Sequence, residues 1–297
     1  MPRSTAKPVC SICEKIVDDD CDGTDEKKDD DGIGVAAAGV VGRCDKQQQI
    51  AMKQSVTEFL DSNLISSGSD AHNVAEGTNG DDKELHIAPM LDYSKREFRK
   101  LFSILSTRLV VWTDMVVDET IAHSDRLDDI IEPDRDLVNR QVCQIGGNSP
   151  TLCGNATQVV EVTYGYDEVN LNIDCPSDRV SGEREFGASL MKKVEVAYAV
   201  LESMQHNVTP EKKTPVSIKC RIGVDDWDNF DFISSFIERL MPVCTRFYLH
   251  ARKCVLNGLY SARQNRSVPP INYPRVYALC RKFPDVEIWI NGGIRSK

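Results

Sequence analysis

The chain lacks any apolar run that could cross a bilayer as a helix: Val35 to Val41 and the stretch around Arg108 to Trp112 stop far short of the ~18 residues required. It lacks an excess of positive charge. Its 36 Lys and Arg face 46 Asp and Glu, a net charge of −10, which argues against a protein that simply coats nucleic acid. Met1 to Asp31 lacks the apolar block of a secretory leader and is too acidic and too poor in Arg for a mitochondrial presequence. The 11 cysteines are an odd number with no export signal beside them, so free thiols in a reducing compartment, the cytosol, are the expectation. Aromatic side chains are missing from the first 84 residues except for Phe59, which excludes a conventional core there.

What is present divides near residue 84. Residues 1–84 hold 18 acidic and 9 basic side chains, leaving 28 and 27 for 85–297, so nearly all the acidity belongs to the first quarter. Runs such as Asp18-Asp19-Asp20 and Asp29-Asp30-Asp31 cannot bury themselves, and this part reads as a mostly disordered acidic extension. Within it, Ile50, Val56, Phe59, Leu60 and Leu64 outline an amphipathic helix over Gln47 to Leu64, followed by a Ser/Gly/Asn/Asp-rich linker. Cys10 and Cys13 make a C-x-x-C pair with Cys21 and Cys44 after it, but no second tight pair follows, and no metal site is expected.

From residue 85 onward, short β-rich apolar runs alternate with helical patterns. Strands are predicted at Leu85–Met90, Leu109–Met115, Gln141–Gly146, Glu168–Ile173, Val216–Arg221, Phe247–His250 and Val286–Asn291. Helices are predicted at Lys95–Leu105, Thr151–Thr163, Ala188–Gln205, Asp228–Leu240 and Pro274–Arg281. Repeated strand-then-helix order specifies parallel pairing, so the expected fold is α/β, a (β/α)8 TIM-type barrel. With about seven strands visible, the barrel is expected to be incomplete, one strand short of closure.

In such a barrel the chemistry gathers at the carboxyl ends of the strands. Those ends carry Pro89-Met90-Leu91, Gln144, Asn172 with Cys175 just beyond, Lys219 and Arg221, His250 and Arg252, and Asn291-Gly292-Gly293. One Lys on a strand is ordinarily a rim charge, and Gly-Gly after a strand is ordinarily a turn. Together at successive strand ends, a cation, an amide and glycines that open backbone N–H groups to an anion describe a cradle for a phosphorylated, electron-rich ring, a flavin mononucleotide (FMN) site.

The motifs in which these residues stand resemble one family. They are His86-Ile87-Ala88-Pro89-Met90-Leu91-Asp92, Trp112-Thr113-Asp114-Met115-Val116, Gln144-Ile145-Gly146-Gly147, and above all Asn170-Leu171-Asn172-Ile173-Asp174-Cys175-Pro176-Ser177-Asp178-Arg179-Val180. Phe186-Gly187-Ala188, Lys219-Cys220-Arg221-Ile222-Gly223, His250-Ala251-Arg252-Lys253, Asn265-Arg266 with Pro269-Pro270, and Ile290-Asn291-Gly292-Gly293-Ile294 continue the series in order. This series is similar to the tRNA-dihydrouridine synthases, the A-type branch in particular. The resemblance implies reduction of the C5=C6 bond of a D-loop uridine in tRNA, with FMN as cofactor and NADPH as reductant. It implies that Cys175 is the acid protonating C5, and that Pro89, Met90, Leu91, Gln144, Lys219, His250, Asn291, Gly292 and Gly293 touch FMN. It implies further that Asn172, Arg263 and Arg266 stand at positions that meet tRNA.

Two departures accompany the resemblance. The family places Gly immediately before the catalytic Cys, where this chain has Asp174. A Gly there serves a positive φ or a close approach to the flavin, whereas a carboxylate beside a thiol raises the thiol pKa and keeps an acid protonated. The resemblance also implies an eighth strand, a Gly-Arg pair completing the phosphate site and a helical tRNA-binding domain, none of which follows Asn291-Gly292-Gly293 in this chain. Two other readings stay open on the residues alone: an inactive remnant that binds RNA or protein, and an FMN barrel oxidoreductase acting on a small pyrimidine.

Overall fold

The computed structural model describes residues 7–10 and 84–294, apart from 134 and 183, and for 7–10 and 178 the backbone alone. The helix expected over Gln47 to Leu64 and three of the four cysteines of the C-x-x-C region lie outside these residues. Eight parallel strands close into a barrel in the order β1 to β8. They are β1 (Lys7–Cys10), β2 (Leu85–Ile87), β3 (Leu109–Val117), β4 (Gln141–Gly146), β5 (Glu168–Ile173), β6 (Val216–Arg221), β7 (Arg246–His250) and β8 (Glu287–Asn291). Seven of them lie where the apolar runs predict.

The eighth position corrects the expected deficit of one strand. Lys7–Cys10 comes from the acidic extension and pairs in parallel with both edges of the gap, Val9 opposite His86 on one side and Lys7 opposite Trp289 on the other. Strands β2 and β8 would otherwise present rows of unpaired N–H and C=O groups, and an extended segment of four residues satisfies them. Four residues containing Pro8 are too short for a periodic signal, and a Pro inside a run ordinarily argues against a strand.

Helices cover the outer face of the barrel. The main ones are α1 (Arg96–Leu105), α4 (Pro150–Gln158), α5 (Val194–His206), α6 (Phe230–Leu240) and α8 (Tyr273–Lys282). Three short helices that the pattern does not predict are α2 (Asp118–His123), α3 (Leu127–Ile131) and α7 (Gln264–Ser267). Their starts are chemically marked in several cases: Ser149 accepts from the Leu152 N–H ahead of Pro150, Asn229 from Phe232 N–H, and Asn272 from Arg275 N–H. Helix α4 continues as a π-helical turn, Val159–Tyr164, and stops at Gly165, whose φ of 77° suits only a residue without Cβ strain. No helix among the described residues is long and apolar enough to cross a membrane.

Period-two alternation sorts the strand side chains into two interiors. Val169, Leu171, Ile173, Ile218, Cys220, Phe247, Leu249, Ile288 and Ile290 face outward into the layer shared with the helices. Inside the barrel, Ala88, Val110, Trp112, Val142, Tyr248 and Trp289 pack as a second core at the floor. His86 lies among these rings, 4.1 Å between centroids from Trp289 and 5.2 Å from Tyr248. Trp112 Nε1 donates to His86 Nδ1 at 3.1 Å, so the imidazole accepts on that side, and burial holds its pKa below the ordinary value.

One carboxylate is set into this floor. Glu168 is fully buried, accepts from Ser217 Oγ at 2.6 Å and Tyr248 Oη at 2.9 Å, and pairs with Arg246 at 2.6 Å and Arg140 at 3.3 Å. Removing one partner of such a buried pair strands the others without compensation. Glu168→Ala is expected to lower the unfolding free energy by about 3–5 kcal/mol, read from urea denaturation. A loss below ~1 kcal/mol, the range of exposed ion pairs, would remove this network from the account of stability.

Candidate functional site

The inward-facing residues of β4 to β6 above the floor are polar, and burial obliges them to bond one another. Ser217 bridges upward from Glu168, accepting from Asn170 Nδ2 at 2.7 Å. Gln144 Nε2 donates to Asn170 Oδ1 at 2.8 Å, and Asn172 Nδ2 donates to Gln144 Oε1 at 2.9 Å. Asn172 Oδ1 in turn accepts from the backbone N–H of Asp174 at 3.2 Å and of Cys175 at 3.0 Å. A continuous chain of hydrogen bonds thus runs from the barrel floor to the backbone that carries Cys175. The expected site residues Gln144 and Asn172 are both links in it, and both are buried.

Next to this chain stands a group of charges at the ends of β5, β6 and β7. The Asp174 carboxylate forms a short ion pair with Lys219 Nζ, lies 2.5 Å from Arg221 Nε, and is 3.8 Å from His250 Nδ1. Burial alone would raise the Asp174 pKa, but Lys219 first and Arg221 second outweigh it and hold the carboxyl far below the usual range. Burial, reinforced by Arg221, keeps the His250 pKa well below its ordinary value, so the imidazole is neutral. Arg221 also donates to the Asn265 carbonyl at 2.8 Å, tying the strand end to α7.

The last corner is built by glycine. Gly292 has φ of 93°, and a Cβ there would stand 2.3 Å from His250 Cδ2; Gly293 has φ of 65°, and its Cβ would meet Ile271 at 2.0 Å. Both positions therefore exclude side chains on conformational and steric grounds. Beside them, His250 Nε2 and Asn291 Nδ2 are buried without a hydrogen-bond partner among the described residues. Buried polar atoms are normally bonded, so these two orphans leave unused hydrogen-bonding capacity at neighbouring strand ends.

Cys175 is half-buried at the start of the β5 loop. Its carbonyl accepts from Ser181 Oγ at 2.7 Å and Ala188 N–H at 3.0 Å, and Gly187 has φ of 65° where a Cβ would lie 2.8 Å from that carbonyl. Burial is the main cause that raises its thiol pKa; the Asp174 charge adds to it. Six other cysteines, 143, 153, 220, 244, 254 and 280, are buried.

The remaining predicted residues are more peripheral. Pro89 and Met90 are half-buried and Leu91 is 72% exposed, in a turn where Met90 N–H donates to Ser94 Oγ. Arg263 and Arg266 are exposed at α7, whose Asn265 is buried and bonds the Val255, Tyr260 and Ser261 carbonyls. In the sequence Arg221 stands among the strand-end residues without an assigned role, and Asn170 and Asn265 appear only within motifs. The period-two inward set Glu168, Asn170 and Asn172 was a legible signal for Asn170, whereas nothing local marks Asn265 as a support for Arg221.

The family model "Dihydrouridine synthase (Dus)" matches residues 86–297. This chain belongs to the dihydrouridine synthase family. It is 39% identical over 210 residues to the tRNA-dihydrouridine(20/20a) synthase of Haemophilus ducreyi, covering 71% of this chain and 62% of that protein. It is similarly 39% identical over 220 residues to the enzyme of that name from Shewanella oneidensis, covering 72% and 62%. To that of Escherichia coli K12 it is 38% identical over 212 residues, covering 71% and 59%. The chain therefore spans about three-fifths of the length of these relatives.

The glycine corner and the orphaned His250 and Asn291 atoms lie together at the mouth of this dihydrouridine synthase barrel. Among the described residues no group of three or more metal-ligating side chains is gathered. The charge arrangement makes a prediction for Cys175. A nearby carboxylate disfavours the thiolate, so removing it in Asp174→Asn lowers the thiol pKa, the more so because Lys219 and Arg221 lose their counter-charge. Alkylation of the Cys175 peptide by iodoacetamide, followed by mass spectrometry across pH, is expected to saturate at lower pH in the variant than in the wild type. Identical profiles would show that Asp174 does not govern the thiol.

Proposed function

We propose that this chain carries the flavin-binding and catalytic part of an enzyme that reduces a D-loop uridine of tRNA to dihydrouridine, with FMN in the barrel mouth and NADPH as reductant. The observation that carries this reading is the corner at β7 and β8, where unpartnered His250 and Asn291 atoms adjoin two glycines that no side chain could replace, in a chain of this family. FMN, when bound, supplies the hydride.

The chain's own residues take the other roles. Gly292, Gly293, His250 and Asn291 bind the phosphate through backbone N–H groups and neutral donors. Pro89, Met90 and Leu91 line one side of the ring, and Gln144 presents an amide held in register by Asn170 and Asn172. Lys219 offers positive charge at the ring edge. Cys175 holds a proton at Sγ for uridine C5, and its raised thiol pKa keeps that proton in place at neutral pH. Asn172 orients this backbone from below and faces the base, while Arg263 and Arg266 on α7 meet tRNA phosphates. A stacked uridine cannot reach such a mouth, so the base leaves the helix stack at a cost of a few kcal/mol.

Purified protein is expected to be yellow, to bleach with NADPH and to recover its absorbance on addition of unmodified tRNA. In Cys175→Ala, bleaching by NADPH persists while dihydrouridine formation falls by about a hundredfold or more, the range of a lost general acid. Full tRNA turnover in that variant would remove Cys175 from its role. Turnover of free uridine without tRNA turnover would favour a small-pyrimidine reductase.

A further inference from the structure

Lys219 and Arg221 form a buried cation pair at the end of β6, with side chains 6% and 1% exposed. Desolvated cations require an anion, and theirs is supplied from within the chain by Asp174, on the loop that leaves β5. Both cationic contacts to the carboxylate come from β6, neutral His250 of β7 stands 3.8 Å away, and the carboxylate is itself 13% exposed. Arg221 Nη1 donates to the Asn265 carbonyl, which fixes the guanidinium beside the Asp174 carboxylate.

We propose that Asp174 is an internal counter-ion that competes with the negative group of the flavin for Lys219 and Arg221, so that cofactor capture in this chain requires Asp174 to be displaced. This rests on the flavin reading above and adds a control of affinity to it. The neutral polar atoms His250 Nε2 and Asn291 Nδ2 remain open to a ligand, whereas the cationic half of the mouth is already compensated in charge by Asp174. A ligand carrying negative charge gains little from cations that are already paired, and much from the same cations once bared.

The test compares wild-type protein with Asp174→Asn, stripped of flavin, by titrating FMN and riboflavin with fluorescence readout and by following thermal unfolding with and without FMN. The variant is expected to bind FMN at least tenfold more tightly, to melt below the wild type when empty because two cations lose their partner, and to gain more than the wild type in melting temperature on adding FMN. A gain confined to FMN locates the competition at the phosphate, whereas an equal gain for riboflavin, which is uncharged when oxidised, would overturn competition between Asp174 and a negative group of the flavin. Asp174→Gly, purified in phosphate to hold the bared cations, is the second variant and is expected to show the same tightening. Equal affinities for FMN in wild type and variants would overturn the counter-ion role while leaving the flavin site standing. Failure of all of them to bind FMN would overturn the flavin reading, and the inference with it.

Discussion

The interaction on which the site depends is the line of hydrogen bonds that climbs the inside of the barrel from Glu168 through Ser217, Asn170, Gln144 and Asn172 to the backbone of Cys175. Closing eight parallel strands turns every second side chain of each strand into a space without bulk water. Polar groups placed there must satisfy one another, since an unpaired one costs about 1–3 kcal/mol. The line does so with alternating donors and acceptors, and each amide orientation is set by its neighbours. The backbone that carries Cys175 is thereby tied through Asn172 to the floor.

The two ends of that line differ in their electrostatics. At the floor, Glu168 is matched by Arg246, Arg140, a hydroxyl and a phenol inside an aromatic box, an arrangement that suits stability alone. At the mouth, Asp174 balances the charges of Lys219 and Arg221, but its Oδ1 and Arg221 Nε form no hydrogen bond, and His250 Nε2 and Asn291 Nδ2 are likewise left with unused bonding capacity. The difference separates a closed structural network from an open one that a ligand can complete. A cavity of about 790 Å³ does lie at the amino-terminal end of the strands, lined by Val208, Pro215, Pro242, Cys244, Arg246 and Glu287. Of its charged members, Arg246 and Glu287 are paired with each other at 2.8 Å and Lys213 is exposed, so its size carries no comparable demand from buried unpaired charge.

Much of the barrel was legible because its strands are buried on both faces and its helices on one. Continuous runs such as Val216–Arg221 and Glu168–Ile173 are unlike the spaced pattern of α6, and their alternation specifies parallel closure. The 3-10 turn Gly187–Lys192 ahead of α5 and the π-helical end of α4 were not legible, because apolar spacing tolerates one residue more or fewer per turn. Strand β1 was illegible for another reason: Lys7–Cys10 is a strand only because two edges already stand open on either side of it.

By itself the sequence determined which residues end the strands, and hence that Gln144, Asn172, Cys175, Lys219, His250 and Asn291 converge, because period-two alternation and strand order are local properties of the chain. Only the tertiary structure decided what those residues do to one another. That Asp174 neutralises Lys219 and Arg221, that Asn172 is engaged with Gln144 and the Cys175 backbone, and that His250 Nε2 and Asn291 Nδ2 are left unpaired all depend on contacts between strands far apart in sequence. Charge compensation and hydrogen-bond satisfaction act through space over a few ångströms, so they are settled when the barrel closes.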